Sequence, residues 1–498
     1  SLEDAQTIRV ETYLPVEPSQ GQDWGFSLVS QGKSGEKAAA IEEVRPCYTQ
    51  GPSPRLLLIG TKDPLDLHKE YLLRHVTHGQ IRVTFGGVFS TDAFHREFHY
   101  SGNDLGVTYS QNETTFKVWA PTASQMQVVV YPRHDQVQGK CTPLQLGEKG
   151  VWYCTIKGDL EGQYYNFLVT HGDETCEVVD PYARAVGVNG LRGQIVDLQK
   201  TNPQGWEELP RLELASPTDA VIYEAHVRDF SSAPNSGIQR KGQYLGFVEA
   251  GTKSPAGIST GLDHLRELGI THVHFLPVFD FATVDEENPK ASYNWGYDPL
   301  NFNVPEGSYS SDPRDGRVRI RELKTMIQAL RLVGIGSIMD VVYNHSFHSV
   351  GSSFNELVPG YYYRHHRDGS FSNGSGCGNE LADERSMVRK FIVDSVTYWA
   401  QEYKFAGFRF DLMGLHHIQT MQAVRRALDL VHPQILIYGE GWGAAASTLP
   451  ERERALKENT VYMPGVASFC NDVRDGIKGH VFRTGEGGFI QGQGNEET

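Results

Sequence analysis

Cysteine is scarce in this sequence, and its spacing excludes two kinds of site. Six cysteines occur among 498 residues, and no two of them stand at the Cys-x-x-Cys spacing typical of zinc sites and dithiol redox motifs. Their scatter predicts free thiols rather than a disulfide framework, and we predict no metal-ligand set. Apolar runs of the roughly 20 residues that a membrane-spanning helix needs are missing as well. The sequence therefore predicts neither a zinc-stabilised nor a membrane-embedded protein.

Positive charge is in deficit. The chain carries 46 Lys and Arg against 61 Asp and Glu, a formal net charge of −15. This acidic balance argues against nucleic acid and anionic membrane surfaces as partners. A recognisable N-terminal signal sequence is missing too, but the chain begins with Ser1 rather than Met. We therefore predict a cytoplasmic protein, with secretion after removal of a signal peptide as the alternative.

Hydrophobic residues make up 39% of the chain, enough for several cores, and the length predicts three domains. Residues 1–100 alternate short apolar runs with turn signals, which indicates a small β module. Its position makes it a candidate ligand-binding module, with Tyr13 or Trp24 as candidate ligand contacts and a core position as the alternative for both. Residues 101–205 hold four strand patterns at the spacing of a β-sandwich.

The third region, residues 206–498, alternates strands with helices. Strands are predicted to end near Arg228, Val278, His345, Asp411 and Glu440, and a sixth strand covers residues 466–471. Asp383 is the predicted cap of a helix that buries Val388 and Trp399. Polar residues at the C-terminal ends of successive parallel strands are typical of the active face of a TIM barrel, which needs eight strands. The predicted fold is therefore multidomain: β-sandwich modules followed by an incomplete TIM (β/α)8 barrel.

Two strands of this region end in a carboxylate, at Asp411 and Glu440. Because side chains alternate along a strand, Arg409 shares a face with Asp411, and a carboxylate beside a buried strand is costly unless it has a use. The neighbouring guanidinium predicts an ionised Asp411, whereas Glu440 has no cation in its own strand and is expected to hold its proton longer. One ionised and one protonated carboxyl is the pair that hydrolyses a glycosidic bond. The alternative is a purely internal ion pair between Arg409 and Asp411.

Several segments carry a resemblance to a known family. Asp340–His345 (DVVYNH), Gly407–Asp411 (GFRFD) and Gly439–Trp442 (GEGW) resemble the first three signature regions of the α-amylase superfamily. Tyr293–Pro299 (YNWGYDP) and Tyr223–Phe230 (YEAHVRDF) resemble signatures of type I pullulanase, which hydrolyses α-1,6 branch points. The resemblance begins near residue 100, and the predicted sandwich resembles the carbohydrate-binding module that precedes pullulanases and isoamylases. Residues 1–100 stand where some pullulanases carry a further starch-binding domain, so the resemblance implies a starch-binding role for that module.

The resemblance implies an enzyme that hydrolyses α-1,6-glucosidic linkages in pullulan, amylopectin and glycogen by a retaining double displacement. It implies Asp411 as the nucleophile and Glu440 as the general acid/base. It also implies a structural role for Asp340. It implies four substrate-binding residues. His345 and Arg409 lie around the sugar at the cleaved bond, and Tyr297 and Trp442 form its aromatic walls. No cofactor is required by this chemistry, and Ca2+ is left as an optional ion. The expected partner is an α-glucan polysaccharide or oligosaccharide.

The sequence departs from the family pattern in one respect. The superfamily's fourth region, a strand that ends in His-Asp and steadies the transition state, is missing from it. We therefore expect the C-terminal remainder of the same protein to complete the barrel and to supply that aspartate together with a C-terminal β domain. Alternatives within the enzyme class are isoamylase, branching enzyme and maltogenic amylase. From another class, a non-catalytic starch- or glycogen-binding protein with a dead barrel fits the missing region.

Overall fold

Two antiparallel β modules precede a region of parallel strands and helices. The computed structural model describes residues 1–18, 23–31, 35–47 and 55–492. One contiguous cluster of buried hydrophobic side chains extends through all three parts, from Leu2 in the first module through Phe116 in the second to Val466 in the third. The modules therefore pack against one another through apolar contacts, which stabilise their arrangement.

The first module contains short strands and one helix. Its elements are β1 (Thr7–Glu11), β2 (Phe26–Gln31), β3 (Lys37–Ala39), β4 (Ile41–Cys47), β5 (Leu56–Thr61), β6 (Glu70–His75), β7 (Gly79–Arg82) and α1 (Asp92–Phe98). They form a three-stranded sheet in the order β1-β5-β4 and a four-stranded sheet in the order β3-β2-β6-β7. Tyr13 is 98% exposed, so the alternative of a core position is wrong for this residue, while Trp24 is half-buried.

The second module is a two-layered sandwich, as predicted. Its strands are β8 (Gly106–Tyr109), β9 (Glu113–Trp119), β10 (Gln125–Tyr131), β11 (Lys140–Pro143), β12 (Gln145–Leu146), β13 (Val151–Lys157), β14 (Tyr164–His171), β15 (Glu174–Val178) and β16 (Gly193–Gln194). One sheet has the order β11-β10-β14-β15, with β16 also paired to β14, and the other has the order β12-β13-β9-β8. Phe116 from the second sheet and Phe167 from the first are fully buried, because alternate residues of each strand face the core.

The third part is built around a parallel sheet. Its strands are β17 (Ile222–Ala225), β18 (His272–Phe275), β19 (Phe279–Phe281), β20 (Pro299–Pro305), β21 (Gly336–Val341), β22 (Gly407–Phe410), β23 (Leu436–Gly439) and β24 (Ala467–Ser468). Its helices are α2 (Val227–Ser232), α3 (Tyr244–Phe247), α4 (Gly261–Leu268), α5 (Gly316–Leu332), α6 (Ser353–Leu357), α7 (Ser386–Glu402), α8 (Ile418–Val431) and α9 (Asn471–Lys478). Among the described residues, no helix has both the length and the hydrophobicity to traverse a lipid bilayer.

Helix ends follow the sequence with one correction. Gly269 follows α4 with a φ of +74°, the left-handed conformation in which glycine commonly ends a helix. Helix α7 buries Val388 and Trp399 as predicted, but Asp383 does not cap it, since Arg385 holds the cap position without a side-chain hydrogen bond. The Asp383 carboxylate instead accepts hydrogen bonds from Arg364 at 2.7 Å and from the backbone N–H of His417 at 3.0 Å. The predicted cap is therefore wrong because stronger partners arrive from elsewhere in the fold.

Among the described residues, the parallel sheet has two edge strands, β17 and β24. Its six strands follow the order β17-β18-β21-β22-β23-β24, which confirms the predicted count of six. In the described part of the chain β17 pairs only with β18 and β24 only with β23. Both ends therefore present backbone N–H and C=O groups that have no ladder partner among these residues.

Candidate active site

Asp411 and Glu440 occupy equivalent positions on neighbouring strands. Asp411 directly follows β22 and Glu440 directly follows β23, and these two strands pair in parallel. The backbone N–H of Asp411 donates to the carbonyl of Val341 at 3.0 Å, and the N–H of Glu440 donates to the carbonyl of Phe410 at 3.1 Å. Because both residues extend the hydrogen-bond ladder by one step, both side chains lie at the C-terminal edge of the sheet.

The guanidinium of Arg409 connects these two carboxylates. Its Nη1 lies 2.8 Å from Asp411 Oδ1, and its Nη2 lies 2.9 Å from Glu440 Oε1. Nη1 also donates to Asp340 Oδ1 at 2.9 Å. One buried cation therefore faces three carboxylates, an arrangement that holds them at short range but does not neutralise them all.

The charge balance differs from the sequence prediction at Asp411. Burial and the nearby Asp340 carboxylate raise the pKa of Asp411 to about 7, although Arg409 acts in the opposite direction. Arg409 therefore favours the ionised form but does not hold the pKa of Asp411 in the usual carboxylate range, because desolvation and a second anion outweigh one cation. Glu440 has a cation after all, since the arginine of the adjacent strand reaches it.

Leu412 follows the first carboxylate in a strained conformation. Its φ of +41° and ψ of +47° place it in the left-handed region, which is rare for a leucine. This conformation directs its backbone N–H to Glu440 Oε2 at 2.9 Å. Backbone strain of this kind costs about 1–3 kcal/mol and tends to occur at functional sites, so the strain here serves to orient a carboxylate.

Gly414 makes a close backbone approach to the loop after Glu440. A Cβ atom at this position would lie 2.6 Å from backbone atoms of Trp442, well inside van der Waals contact. The N–H of Gly414 donates to the carbonyl of Glu440 at 2.8 Å. Glycine is therefore required here because any side chain would push the Glu440–Trp442 loop away from β22.

Asp340 is fully buried and contacts three side chains near the carboxylate pair. Besides Arg409 it accepts a hydrogen bond from the hydroxyl of Tyr297 at 2.8 Å. The imidazole Nε2 of His274 lies 3.1 Å from its Oδ2, and Asp340 itself is 0% exposed. All these contacts are to protein groups, so its role in this geometry is to position Arg409 and Tyr297.

His345 and Asn344 lie side by side at the end of the segment that follows β21. The Asn344 side-chain amide donates to Asp411 Oδ2 at 2.8 Å, and its Oδ1 lies 2.7 Å from Nδ1 of His345. The other ring nitrogen of His345 lies 3.0 Å from the carbonyl of Tyr297. Burial lowers the pKa of His345 to about 4, so the ring is neutral near neutral pH and donates one of these two bonds at a time. Sequence reasoning assigned no role to Asn344, although the residue stands inside the DVVYNH motif.

The two predicted aromatic walls are half-buried beside the pair. The ring of Tyr297 lies 5.8 Å from the guanidinium carbon of Arg409, and burial together with Asp340 raises the pKa of its hydroxyl. Trp442 lies two residues beyond Glu440, with its ring 6.4 Å from that of Phe469. The structure therefore places Tyr297 beside both His345 and Arg409 and places Trp442 on the loop that carries Glu440.

A second acidic cluster lies away from the pair and bears on the optional Ca2+. Asp280, Glu286 and Glu306 are buried, with carboxylate oxygens within 4.8 Å of one another. The guanidinium of Arg319, itself 0% exposed, lies 3.2 Å from Asp280 and 2.8 Å from Glu286. Carboxylate oxygens suit Ca2+, but a guanidinium already occupies the cationic position among these groups. The residues present therefore do not fit a metal ion at this cluster.

Known proteins resemble this chain over most of its length. Residues 104–183 match the family described as Carbohydrate-binding module 48 (Isoamylase N-terminal domain). The pullulanase of Bacillus subtilis strain 168 is 43% identical over 431 residues, which cover 86% of this chain and 59% of that protein.

Two solved structures share the fold. The pullulanase of Paenibacillus barengoltzii, in complex with maltohexaose and α-cyclodextrin, is 48% identical with a TM-score of 0.80 over 82% of this chain and 64% of its own. The pullulanase of Anoxybacillus sp. LM18-11, complexed with maltotetraose, is 41% identical with a TM-score of 0.86 over 99% of this chain and 68% of its own. The chain thus spans 59% and 64% of the first two of these relatives.

Proposed function

This chain belongs to the pullulanase family, and we propose that it carries the catalytic pair of a debranching enzyme. The proposed substrates are the α-1,6-glucosidic linkages in pullulan, amylopectin and glycogen. The observation that supports the proposal is the placement of Asp411 and Glu440 at the ends of neighbouring strands, both in contact with Arg409. Two carboxyl groups at short range are the working parts of a glycoside hydrolase.

The proposed reaction is a retaining double displacement. Ionised Asp411 attacks the anomeric carbon, while Glu440 gives its proton to the glycosidic oxygen of the departing chain. Glu440, now ionised, then takes a proton from water, and the water oxygen displaces Asp411 from the sugar. Both carboxyl groups return to their starting states, and the product keeps the configuration of the substrate. We expect a carboxyl separation of about 5–5.5 Å, the spacing of retaining enzymes.

We propose substrate contacts for the surrounding side chains. The half-buried rings of Tyr297 and Trp442 offer apolar faces on which a glucose ring can stack. His345, neutral because of burial, can donate a hydrogen bond to a sugar hydroxyl when this hydroxyl replaces the Tyr297 carbonyl as the partner of Nε2, and it does so without adding charge. Arg409 holds both carboxylates in place, and we propose that it also contacts the sugar at the cleaved bond.

We infer that further strands of the same protein close the sheet into a barrel. The two edge strands carry backbone groups that are unpaired among the described residues, and Ile222 on β17 is 38% exposed. Beyond β24, helix α9 exposes Val473 and Ile477, and Phe482 is 89% exposed. Apolar surface beside two open edges favours a polypeptide partner, and the longer relatives are consistent with a C-terminal remainder that also brings the fourth signature region.

The β modules are proposed to hold the same glucan outside the active site. The family match over residues 104–183 supports carbohydrate binding by the sandwich. In the first module the fully solvent-facing ring of Tyr13 is a candidate stacking surface for a sugar. This role would raise the local concentration of substrate without taking part in the reaction.

We propose further that the hydrolysis needs no cofactor, because the two carboxyl groups supply the nucleophile, the acid and the base. A cytoplasmic location is proposed from the six cysteines, which are free thiols. Cys141, Cys377 and Cys470 are exposed, and exposed thiols persist best in a reducing compartment.

The test is hydrolysis of pullulan by the intact protein, followed by chromatography of the products. The proposal predicts maltotriose as the main product and loss of activity in both Asp411→Asn and Glu440→Gln, with circular dichroism spectra unchanged. Cleavage of glycogen but not of pullulan would favour an isoamylase, and new α-1,6 branches would favour a branching enzyme. Binding of amylose without release of reducing sugar would contradict an enzyme and favour the non-catalytic alternative.

A further inference from the structure

A cavity of about 420 Å³ opens at the end of the sheet opposite to the catalytic pair. We call it the floor cavity. Its lining includes Ala406 and Ile435, which directly precede β22 and β23, and residues of the 207–214 segment that connects the sandwich to the sheet. Asp411 stands at the far end of the four-residue strand β22, roughly 15 Å away at about 3.3 Å per residue. The floor cavity is therefore separate from the glucan site.

The floor cavity is lined by cations in a protein that is acidic overall. Arg211, Arg331 and Lys404 contribute to its wall, whereas Glu207 is the one carboxylate in the lining. In the described residues neither Arg211 nor Arg331 has a carboxylate within 4.0 Å, and Lys404 lies 3.9 Å from Glu207. The side chains of Arg211 and Lys404 donate to backbone carbonyls, of Val431 at 2.8 Å and of Trp206 at 2.6 Å, which carry no net charge. Local positive charge in a chain with a formal net charge of −15 attracts anions to this position.

Arg331 is the most informative of these cations because it is buried. It is 6% exposed, and its guanidinium donates to the carbonyls of Pro210 at 3.0 Å and Lys404 at 2.8 Å. Its Nε has no hydrogen-bond partner in the part of the chain that the structure describes. Burial and the nearby Arg211 lower its pKa to about 10. Carbonyl dipoles offset a buried guanidinium only in part, and a buried charge without a counter-ion is costly.

We propose that the floor cavity binds a small anion of the phosphate or carboxylate class. An arginine presents forked N–H donors that match the oxygens of both groups, and two arginines and a lysine can together face an anion of more than one charge. The remaining lining contains Leu209, Leu212 and Ile435, which suits a ligand with a small carbon body. Because Arg331 also contacts Pro210, a bound anion would strengthen the attachment of the connecting segment to the sheet.

The proposal does not depend on the debranching activity, and it is tested by binding. Isothermal titration and thermal unfolding of the intact protein are measured with sodium pyrophosphate and with sodium citrate, with ionic strength held constant by NaCl. We expect saturable one-to-one binding of at least one anion and a higher unfolding temperature. Pyrophosphate alone would assign the phosphate class, and citrate alone the carboxylate class. Equal effects of NaCl at matched ionic strength would overturn the proposal.

Variants locate the site. Arg211→Ala should weaken the anion affinity at least about tenfold, while its matched control Arg45→Ala, on an exposed strand of the first module, should leave it unchanged. Arg331→Lys keeps the charge but loses the paired N–H donors of the guanidinium, so it should weaken binding as well. If this variant does not fold, the anion affinity of Arg211→Ala tests the proposal, since Arg211 is exposed. Undiminished binding in Arg211→Ala, or displacement of the anion by maltotriose, would place the anion elsewhere and refute the floor cavity as its site.

Discussion

The backbone N–H of Leu412 donates a 2.9 Å hydrogen bond to Oε2 of Glu440, and it does so from a left-handed backbone conformation. The residue that follows one carboxylate thus orients the other. Arg409 holds the second oxygen of Glu440 at 2.9 Å. Both oxygens of Glu440 therefore have fixed partners in the described residues, and a donor supplied by strained backbone cannot be replaced by a side chain.

Substitutions at Leu412 should separate backbone shape from side-chain packing. Leu412→Val places a β-branched residue at positive φ and should lower kcat about tenfold or more, because a strain of about 1–3 kcal/mol moves the N–H away from Glu440. Leu412→Asn is the matched control, since asparagine tolerates this conformation. Steady-state kinetics on pullulan measures both. Equal losses in the two variants would mean that the leucine side chain, not the backbone, matters.

Asp340→Asn should shift the acidic limb of the activity profile. The Asp340 carboxylate raises the pKa of Asp411, so its neutralisation lowers that pKa and leaves Asp411 ionised to lower pH. The midpoint of the acidic limb of kcat/KM should move down by about half a unit or more. Asp173→Asn, on an exposed turn of the sandwich, controls for the loss of one negative charge. An upward shift would contradict the assigned influence.

Asp411→Asn should stabilise the protein at high pH while abolishing activity. The pKa of Asp411 is about 7 in the fold and about 4 in an unfolded chain, so the folded state binds the proton more tightly. The free energy of unfolding contributed by this group therefore falls as pH rises from about 4 through about 7. At about pH 8 the variant should gain on the order of 4 kcal/mol, and at about pH 5 only about 1 kcal/mol. Denaturant unfolding at both pH values measures the difference; an equal gain at both would contradict the pKa.

Arg319→Leu should destabilise the fold, and Ca2+ should restore part of the loss. Without its guanidinium, three buried carboxylates lose their cation, at a cost of about 3–5 kcal/mol. The same oxygens then form a set that a calcium ion can use. Arg321→Ala, on the same helix but exposed, is the matched control. The midpoint of denaturant unfolding with and without millimolar Ca2+ measures both effects. A destabilised variant whose midpoint does not change with Ca2+ would contradict the prediction and show that the three carboxylates no longer lie close together.

The sequence predicted the strands that carry Asp411 and Glu440 well because their signals are local. Alternation placed Arg409 and Asp411 on one face, and the run of buried residues fixed the ends of β22 and β23. The electrostatics could not be predicted in the same way. Asp340, which raises the pKa of Asp411, comes from the adjacent strand β21, which a long intervening segment separates from β22 in the sequence. The cation beside Glu440 comes from β22.

Other features depend on contacts that no local pattern records. Asp383 is of a residue type that commonly caps helices, yet its carboxylate accepts hydrogen bonds from Arg364 and from the backbone N–H of His417 instead. Asn344 lies within the DVVYNH motif, but only the parallel pairing of β21 with β22 brings it to Asp411. The floor cavity has no motif at all, since its cations come from a connecting segment, a helix end and a loop.

The most direct test of the catalytic assignment is azide rescue on an activated substrate such as α-maltosyl fluoride, with the product configuration read by proton NMR. In Glu440→Ala the leaving group needs no acid, so Asp411 still forms the covalent intermediate and azide displaces it from the opposite face. The account predicts an α-glycosyl azide from this variant. In Asp411→Ala azide attacks the sugar directly and should give the β-glycosyl azide. The reverse pairing of variant and anomer would exchange the two roles, and rescue of neither variant would contradict the assignment of this pair.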